Sequence, residues 1–81
     1  MKLSVIVPVY NEKNTIQRLV QAVQAVPVNK EIVIVDDGST DGTREIIRQR
    51  FVGQDGFKVI FHEKNQGKGM AVRTGIGAAS P

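Results

Sequence analysis

Three apolar, β-branched runs divide the chain: LSVIVPVY at 3–10, EIVIVDD at 31–37 and FKVIFHE at 57–63. The first two are nearly continuous instead of alternating, the pattern of strands covered on both faces, as in a parallel sheet. The segments between them carry helical periodicity. After Asn11 and Glu12, the residues Ile16, Leu19, Val20, Val23 and Val26 recur at three- and four-residue spacing until Pro27 stops the run. Asn11 or Asn14 is expected to cap this helix. A second helix is expected to begin near residues 39–41, where hydroxyl and carboxylate groups accept orphan N–H bonds. It should turn Ile46, Ile47 and Phe51 inward and end before Gly53. A third, from about 66 to 79, contains Gly69, Gly75 and Gly77, each costing about 1 kcal/mol relative to alanine inside a helix. Such a run suits a helix that lies very close to the sheet or to a ligand.

The order is therefore β-α-β-α-β-α, an α/β fold built as half of a doubly wound sheet. Three parallel strands are expected in the spatial order 3-2-1, with the first on an edge. Pro8 has no N–H for a ladder and belongs at the end of its strand. Eighty-one residues allow one small domain, and a chain of this size buries only roughly 60–65% of its unfolded surface. With no cysteine, neither a disulfide nor a thiolate metal site braces it. No apolar run approaches the roughly 20 residues of a membrane span, and the N-terminus enters a strand without a signal-peptide layout. The net charge of +3 comes from 11 basic and 8 acidic residues. The basic side chains are scattered, as on solvated helix faces, and do not form the stripe that nucleic acid requires.

In an open parallel sheet, ligands sit beyond the carboxyl ends of the strands. PVYNE, DDGSTDGT and HEKNQGKG all fall there. Each residue also has a plainer reading. Asp36 and Asp37 favour the positive end of the following helix dipole; capping accounts readily for one of them, less well for both beside Gly38. Tyr10 is either a rim residue or a ligand contact, and Glu12 either a first-turn helix acid or a contact. Lys68, between two glycines, is either a solvated loop lysine or part of a phosphate cradle. His62 has no metal partner nearby and is read as strand-end structure. A dinucleotide-binding domain would carry G-x-G-x-x-G after its first strand, where PVYNE stands. There is no G-x-x-x-x-G-K-[ST], and the acids of DDGSTDG are misspaced for a calcium loop. A phospho-acceptor domain would want aspartate where His62 and Glu63 stand.

PVYNE, VDDGSTDGT and NQGKGMAVRTG, in this order, resemble the N-terminal part of the family-two glycosyltransferases of the GT-A fold. The third motif is most similar to that of polyprenyl-phosphate sugar transferases, such as the dolichyl-phosphate mannose and glucose synthases. The resemblance spans essentially the whole chain and implies a three-layer, Rossmann-like half of a GT-A fold. It also implies a nucleotide-sugar site, with Pro8, Tyr10 and Glu12 lining the nucleotide pocket and Val35 beside the base. Asp37 would accept the ring N–H of uracil or guanine, for which an ionised carboxylate suits. Asp36 would hold the loop, residues 65–69 would close the base side, and Lys68 is a further contact candidate. The function implied is inverting transfer of a sugar from a UDP- or GDP-sugar, to a polyprenyl phosphate, in the cytoplasm or at the cytoplasmic face of a membrane.

Family members continue into a strand ending in D-x-D, whose acids hold a divalent cation, Mg or Mn, at the diphosphate. A general base follows later. This sequence has no D-x-D and stops at Ser80-Pro81. The resemblance thus implies the nucleotide half of an enzyme, with no catalytic residue, no metal ligand and no bound cofactor of its own, inactive in isolation. An open edge at the first strand invites pairing with another chain, so association through residues 3–8, as a homodimer or as a non-catalytic interaction module, is the alternative expectation.

Overall fold

The computed structural model describes residues 3–79; residues 1, 2, 80 and 81 of the expected 1–81 unit lie outside the described residues. The elements are β1 (Leu3–Val9), α1 (Ile16–Gln24), β2 (Lys30–Asp36), α2 (Thr43–Arg50), β3 (Phe57–Phe61) and α3 (Lys68–Ala78). All pairing is parallel and the order is β1-β2-β3, as the alternation of strand and helix requires, with β1 on an edge. Pro8 pairs with Val35, one residue before the end of β1. The ladder continues past the strand ends: the Asp37 N–H donates to the Val9 carbonyl and the His62 N–H to the Asp36 carbonyl, both at 2.8 Å. Positions 37 and 62 therefore emerge side by side at the carboxyl edge.

The continuous apolar run of β2 is buried from both sides, and the strand's period of two sorts its residues by face. Ile32 and Ile34 join Val7 and Val9 against Ile16 and Val20 of α1 and Ile47 of α2, with Phe51 at the rim. Val33 and Val35 face the other way, onto Ala71 of α3, with Ile6 and Ile60 beside them. This second layer is thin. A Cβ at Gly75 would collide with Cγ2 of Ile6, so α3 approaches the sheet as closely as only a glycine permits. Gly69 and Gly77 would meet nothing within 4 Å, so close approach accounts for one of the three helical glycines. Lys58, on the same face of β3 as Ile60, donates to the Ala78 carbonyl at 2.9 Å and pairs with the buried Glu31 at 3.2 Å. These bonds fix the far end of α3.

The helix boundaries differ from the sequence expectation in ways that matter for the site. Neither Asn11 nor Asn14 caps α1; Thr15 holds the N-cap position, and its side chain accepts no capping N–H. Asn11 instead adopts φ 51°, a left-handed conformation that asparagine tolerates when its short side chain bonds locally. Its N–H donates to Ser39 Oγ at 2.9 Å and its Oδ1 accepts from the Thr40 N–H at 2.8 Å, so it ties the loop after β1 to the loop after β2. Helix α1 ends before Val26, which is exposed, as is Leu19. Helix α2 starts at Thr43, with Asp41 Oδ1 accepting from the Thr43 N–H at 3.0 Å and from its hydroxyl. The Thr43 hydroxyl and backbone bonds outweigh desolvation and hold the Asp41 carboxyl below its ordinary range. Among the described residues no helix is long and apolar enough to cross a membrane.

Candidate functional site

A cleft of about 230 Å³ opens beyond the carboxyl ends of β1 and β2, lined by Pro8, Tyr10, Glu12, Asp37, Asn65 and Lys68 among others. The three loops that the sequence placed at the mouth of the sheet do meet there. Of the six residues expected at a nucleotide site, five line the cleft. The sixth, Val35, is fully buried and packs with Ala71, which itself forms part of the cleft wall. Tyr10 is 45% exposed at the rim, where its ring can lie against a flat ligand. Glu12 is exposed and accepts a hydrogen bond from the Thr15 hydroxyl, so its carboxylate also steadies the start of α1. Lys68, also exposed, is the first residue of α3 and brings a cation to the cleft mouth.

Asp37 is the most constrained group in the site. Its side chain is 4% exposed, and three donors converge on it. Oδ1 accepts from the Gln66 N–H at 2.8 Å and meets His62 Nδ1 at 2.8 Å; Oδ2 accepts from the Gly67 N–H at 3.0 Å. Burial alone would favour the protonated acid, but the His62 and backbone bonds more than offset it and hold the carboxyl below the ordinary aspartate value of 3.8. An ionised carboxylate only accepts, so His62 Nδ1 donates to it. Nε2 lies within hydrogen-bond distance of Thr74 Oγ1, at 2.9 Å. The chain Asp37–His62–Thr74 thus joins the cleft to the middle of α3.

Gly38 makes this convergence possible. Its φ is +78°, and a Cβ there would lie 2.6 Å from the Asn65 nitrogen and from the Lys64 carbonyl carbon. Without a side chain at 38, the segment after β3 lies directly on the segment after β2, which brings the Gln66 and Gly67 N–H groups to the carboxylate. Asp36 has a different fate. Fully buried, its Oδ2 accepts from Arg44 Nε of α2 at 2.9 Å, and the same guanidinium donates to the His62 carbonyl. Asp36 therefore holds loops and helix together, in line with the structural part expected of it, and takes no share of the cleft lining.

His62, read from the sequence as strand-end structure, belongs to the site's support. The alternation of β3 gives only its face, since Lys58, Ile60 and His62 share the face of α3; its partner depends on the register with β2. A neighbouring acid at the same height on β2 then makes a partner.

The group set suits recognition more than bond-making: a buried ionised acceptor, a rim aromatic ring and a cation at a helix start. Among the described residues no group of three or more His, Cys, Asp or Glu side chains converges as a metal site requires. Asp36 is committed to Arg44, and Asp37 to three donors. These residues do not fit a resident divalent cation.

Residues 4–81 match the family model described as glycosyl transferase family 2. The glycosyltransferase AglE of Haloferax volcanii is 43% identical over 81 residues, covering 96% of this chain and 27% of its own length. The dodecaprenyl-phosphate galacturonate synthase of Rhizobium johnstonii is 34% identical over 85 residues, covering 98% of this chain and 25% of its own. Among solved structures, a mannosyltransferase from Pyrobaculum calidifontis in complex with GDP-Man and Mn2+ superposes with a TM-score of 0.85 at 29% identity, over 96% of this chain and 24% of that one. Residues 1–349 of TarS from S. aureus give 0.82 at 33% identity, over 99% of this chain and 25% of that one. The chain spans about a quarter of the length of these relatives.

Proposed function

The chain belongs to the family-two glycosyltransferases, and on that premise we propose that it forms the nucleotide-sugar-binding portion of an inverting enzyme. The donor is a UDP- or GDP-sugar and the acceptor a polyprenyl phosphate, the acceptor class named for the Rhizobium relative. The observation that carries this reading is Asp37, an ionised and nearly buried carboxylate facing a cleft bordered by Tyr10 and Lys68. Asp37 accepts the base N–H; Pro8, Tyr10 and Glu12 line the nucleoside; Val35 backs the wall beside the base; Lys68 lies toward the phosphates. Residues 1–81 act as one unit in this. A divalent cation, present with GDP-Man in the Pyrobaculum structure, would be held by other residues of the complete enzyme. Stabilisation of the leaving group is usually the largest catalytic term, so the 81 residues alone are expected to transfer no sugar. The complete enzyme is expected to work at the cytoplasmic face of a membrane.

An NMR titration of the chain with UDP and GDP, each with and without manganese, tests the site. Shifts clustered at residues 8–12 and 35–39, unaffected by metal, are the expected result. Their absence for both nucleotides at millimolar concentration would overturn the reading. A second reading, association of copies of this chain through residues 3–8, rests on the edge position of β1. Sedimentation that shows only monomer at high concentration would remove it.

A further inference from the structure

An aspartate followed by glycine is open to attack by the backbone on its own side chain, because glycine has no Cβ to shield its nitrogen. The chain has three such pairs, at 37–38, 41–42 and 55–56, and the fold treats them differently. The Asp37 side chain is held by His62 and by the Gln66 and Gly67 N–H groups, and the backbone of residues 64 and 65 presses on Gly38. Asp41 accepts from the Thr43 N–H and hydroxyl and from the Lys13 N–H, and the Lys13 side chain lies over Gly42. Neither carboxyl group is free to turn onto the next nitrogen.

The third pair has none of this protection. Asp55 is exposed, and no hydrogen bond or ion pair among the described residues involves its side chain. A Cβ on Gly56 would meet nothing within 4 Å. The pair sits in the turn between α2 and β3, closed by a single backbone bond from the Phe57 N–H to the Gln54 carbonyl at 3.2 Å. Exposed loop tips of this kind open at low cost.

We propose that Asp55-Gly56 is a site of spontaneous covalent modification, at which the folded chain converts aspartate to isoaspartate while the other two pairs stay intact. The Gly56 nitrogen attacks Asp55 Cγ and forms a new N–C bond. The N–H proton and the carboxyl OH leave as water, and a cyclic imide remains. Water then adds to one of the two imide carbonyls. Opening at Cγ restores aspartate; opening at the main-chain carbonyl routes the backbone through Cβ and Cγ and leaves the former main-chain carbonyl as a free carboxylate. One water leaves and one returns, and nothing is oxidised or reduced. The product backbone is longer by one methylene, next to a carbonyl that matters: the Gly56 oxygen accepts from the Ile32 N–H at 2.8 Å. The change therefore disturbs the start of β3 and the stacked rings of Phe51 and Phe57, at the end of the sheet away from the cleft.

The test is to age the chain at neutral pH in heavy-oxygen water and map its peptides by mass spectrometry, with isoaspartate confirmed by enzymatic methylation. Each passage through the imide leaves one heavy oxygen at the residue. Asp55 should incorporate the label at least about tenfold faster than Asp37 or Asp41, which react only from locally opened states. In the urea-unfolded chain the three pairs should react at similar rates. Asp55→Glu, which needs a larger ring, should remove the signal at that position. Asp55→Asn should speed it, with ammonia leaving in place of water. Both variants change an exposed side chain without partners, so both should fold. No label at Asp55 in the folded chain, or equal label at all three pairs, would overturn the proposal. Retention of the same selectivity in urea would overturn it as well, because the fold would then not be the cause.

Discussion

On the face covered by α1 and α2, β2 contributes Ile32 and Ile34 and ends in Asp36; on the face covered by α3, it contributes Val33 and Val35 and is followed by Asp37. The first face is a thick apolar layer, and its carboxylate is sealed completely, with Arg44 on Oδ2 and no partner for Oδ1. The second layer is thin, closed by Ala71 and Gly75, and its carboxylate meets backbone N–H groups and a cleft. Two adjacent acids thus serve opposite ends because a strand alternates. The one turned toward large side chains fastens a helix, and the one turned toward small side chains is left within reach of a ligand. A binding site needs a backbone that comes close, and small residues are what allow it.

The comparison breaks most visibly at its two acids. Asp37→Ala should abolish nucleotide binding and cost about 3 kcal/mol in urea unfolding, because it leaves a buried imidazole and two N–H groups without their acceptor. Arg44→Leu should cost about 2–3 kcal/mol by stranding the Asp36 carboxylate. The folded fraction should still bind nucleotide within twofold of the parent, which a titration at low temperature measures. Retained binding in the first variant, or lost binding in the second, would mean that the division between the faces is wrong.

The close approach on the thin face can be sharpened with a pair of glycine variants. Gly75→Ala places a Cβ against Ile6 and should destabilise by about 1–3 kcal/mol. Gly77→Ala enters open space and should stabilise by up to about 1 kcal/mol through helix propensity. Equal effects in urea melts would remove the packing account of Gly75.

The smallest effect at neutral pH is the acid dependence. Asp37 and Asp41 both titrate below the ordinary aspartate value of 3.8 in the folded chain. Their folded-state pKa values are depressed, so the stability they contribute is fully present above that value and is lost as pH falls through the folded values. Unfolding followed against pH should be flat with respect to these groups from pH 7 down to about 4, then fall. In Asp37→Asn the fall should be shallower.

Much of this was legible in the sequence. The continuous runs at 3–10 and 31–37 specified buried parallel strands, and alternation with helices specified the order. The motifs at the strand ends marked the cleft, and with them Pro8, Tyr10, Glu12, Asp37 and Lys68. What was hidden depended on register. Asn11 resembles a helix cap in sequence, but its side chain is needed by the Ser39–Thr40 loop, a partner 28 or 29 residues away. His62 looks solitary until the β2–β3 pairing of Asp36 with Phe61 is known, which sets it beside Asp37. Gly38 signals a turn, but not that the backbone of residues 64 and 65 will press against it.

The most direct measurement is the nucleotide dissociation constant of Asp36→Asn beside that of Asp37→Asn, each corrected for its folded fraction. Both substitutions keep shape and remove charge. If Asp37 reads the base and Asp36 only fastens α2, binding disappears in Asp37→Asn and persists in Asp36→Asn. Binding that survives in Asp37→Asn, or that is lost equally in both, would contradict the assignment.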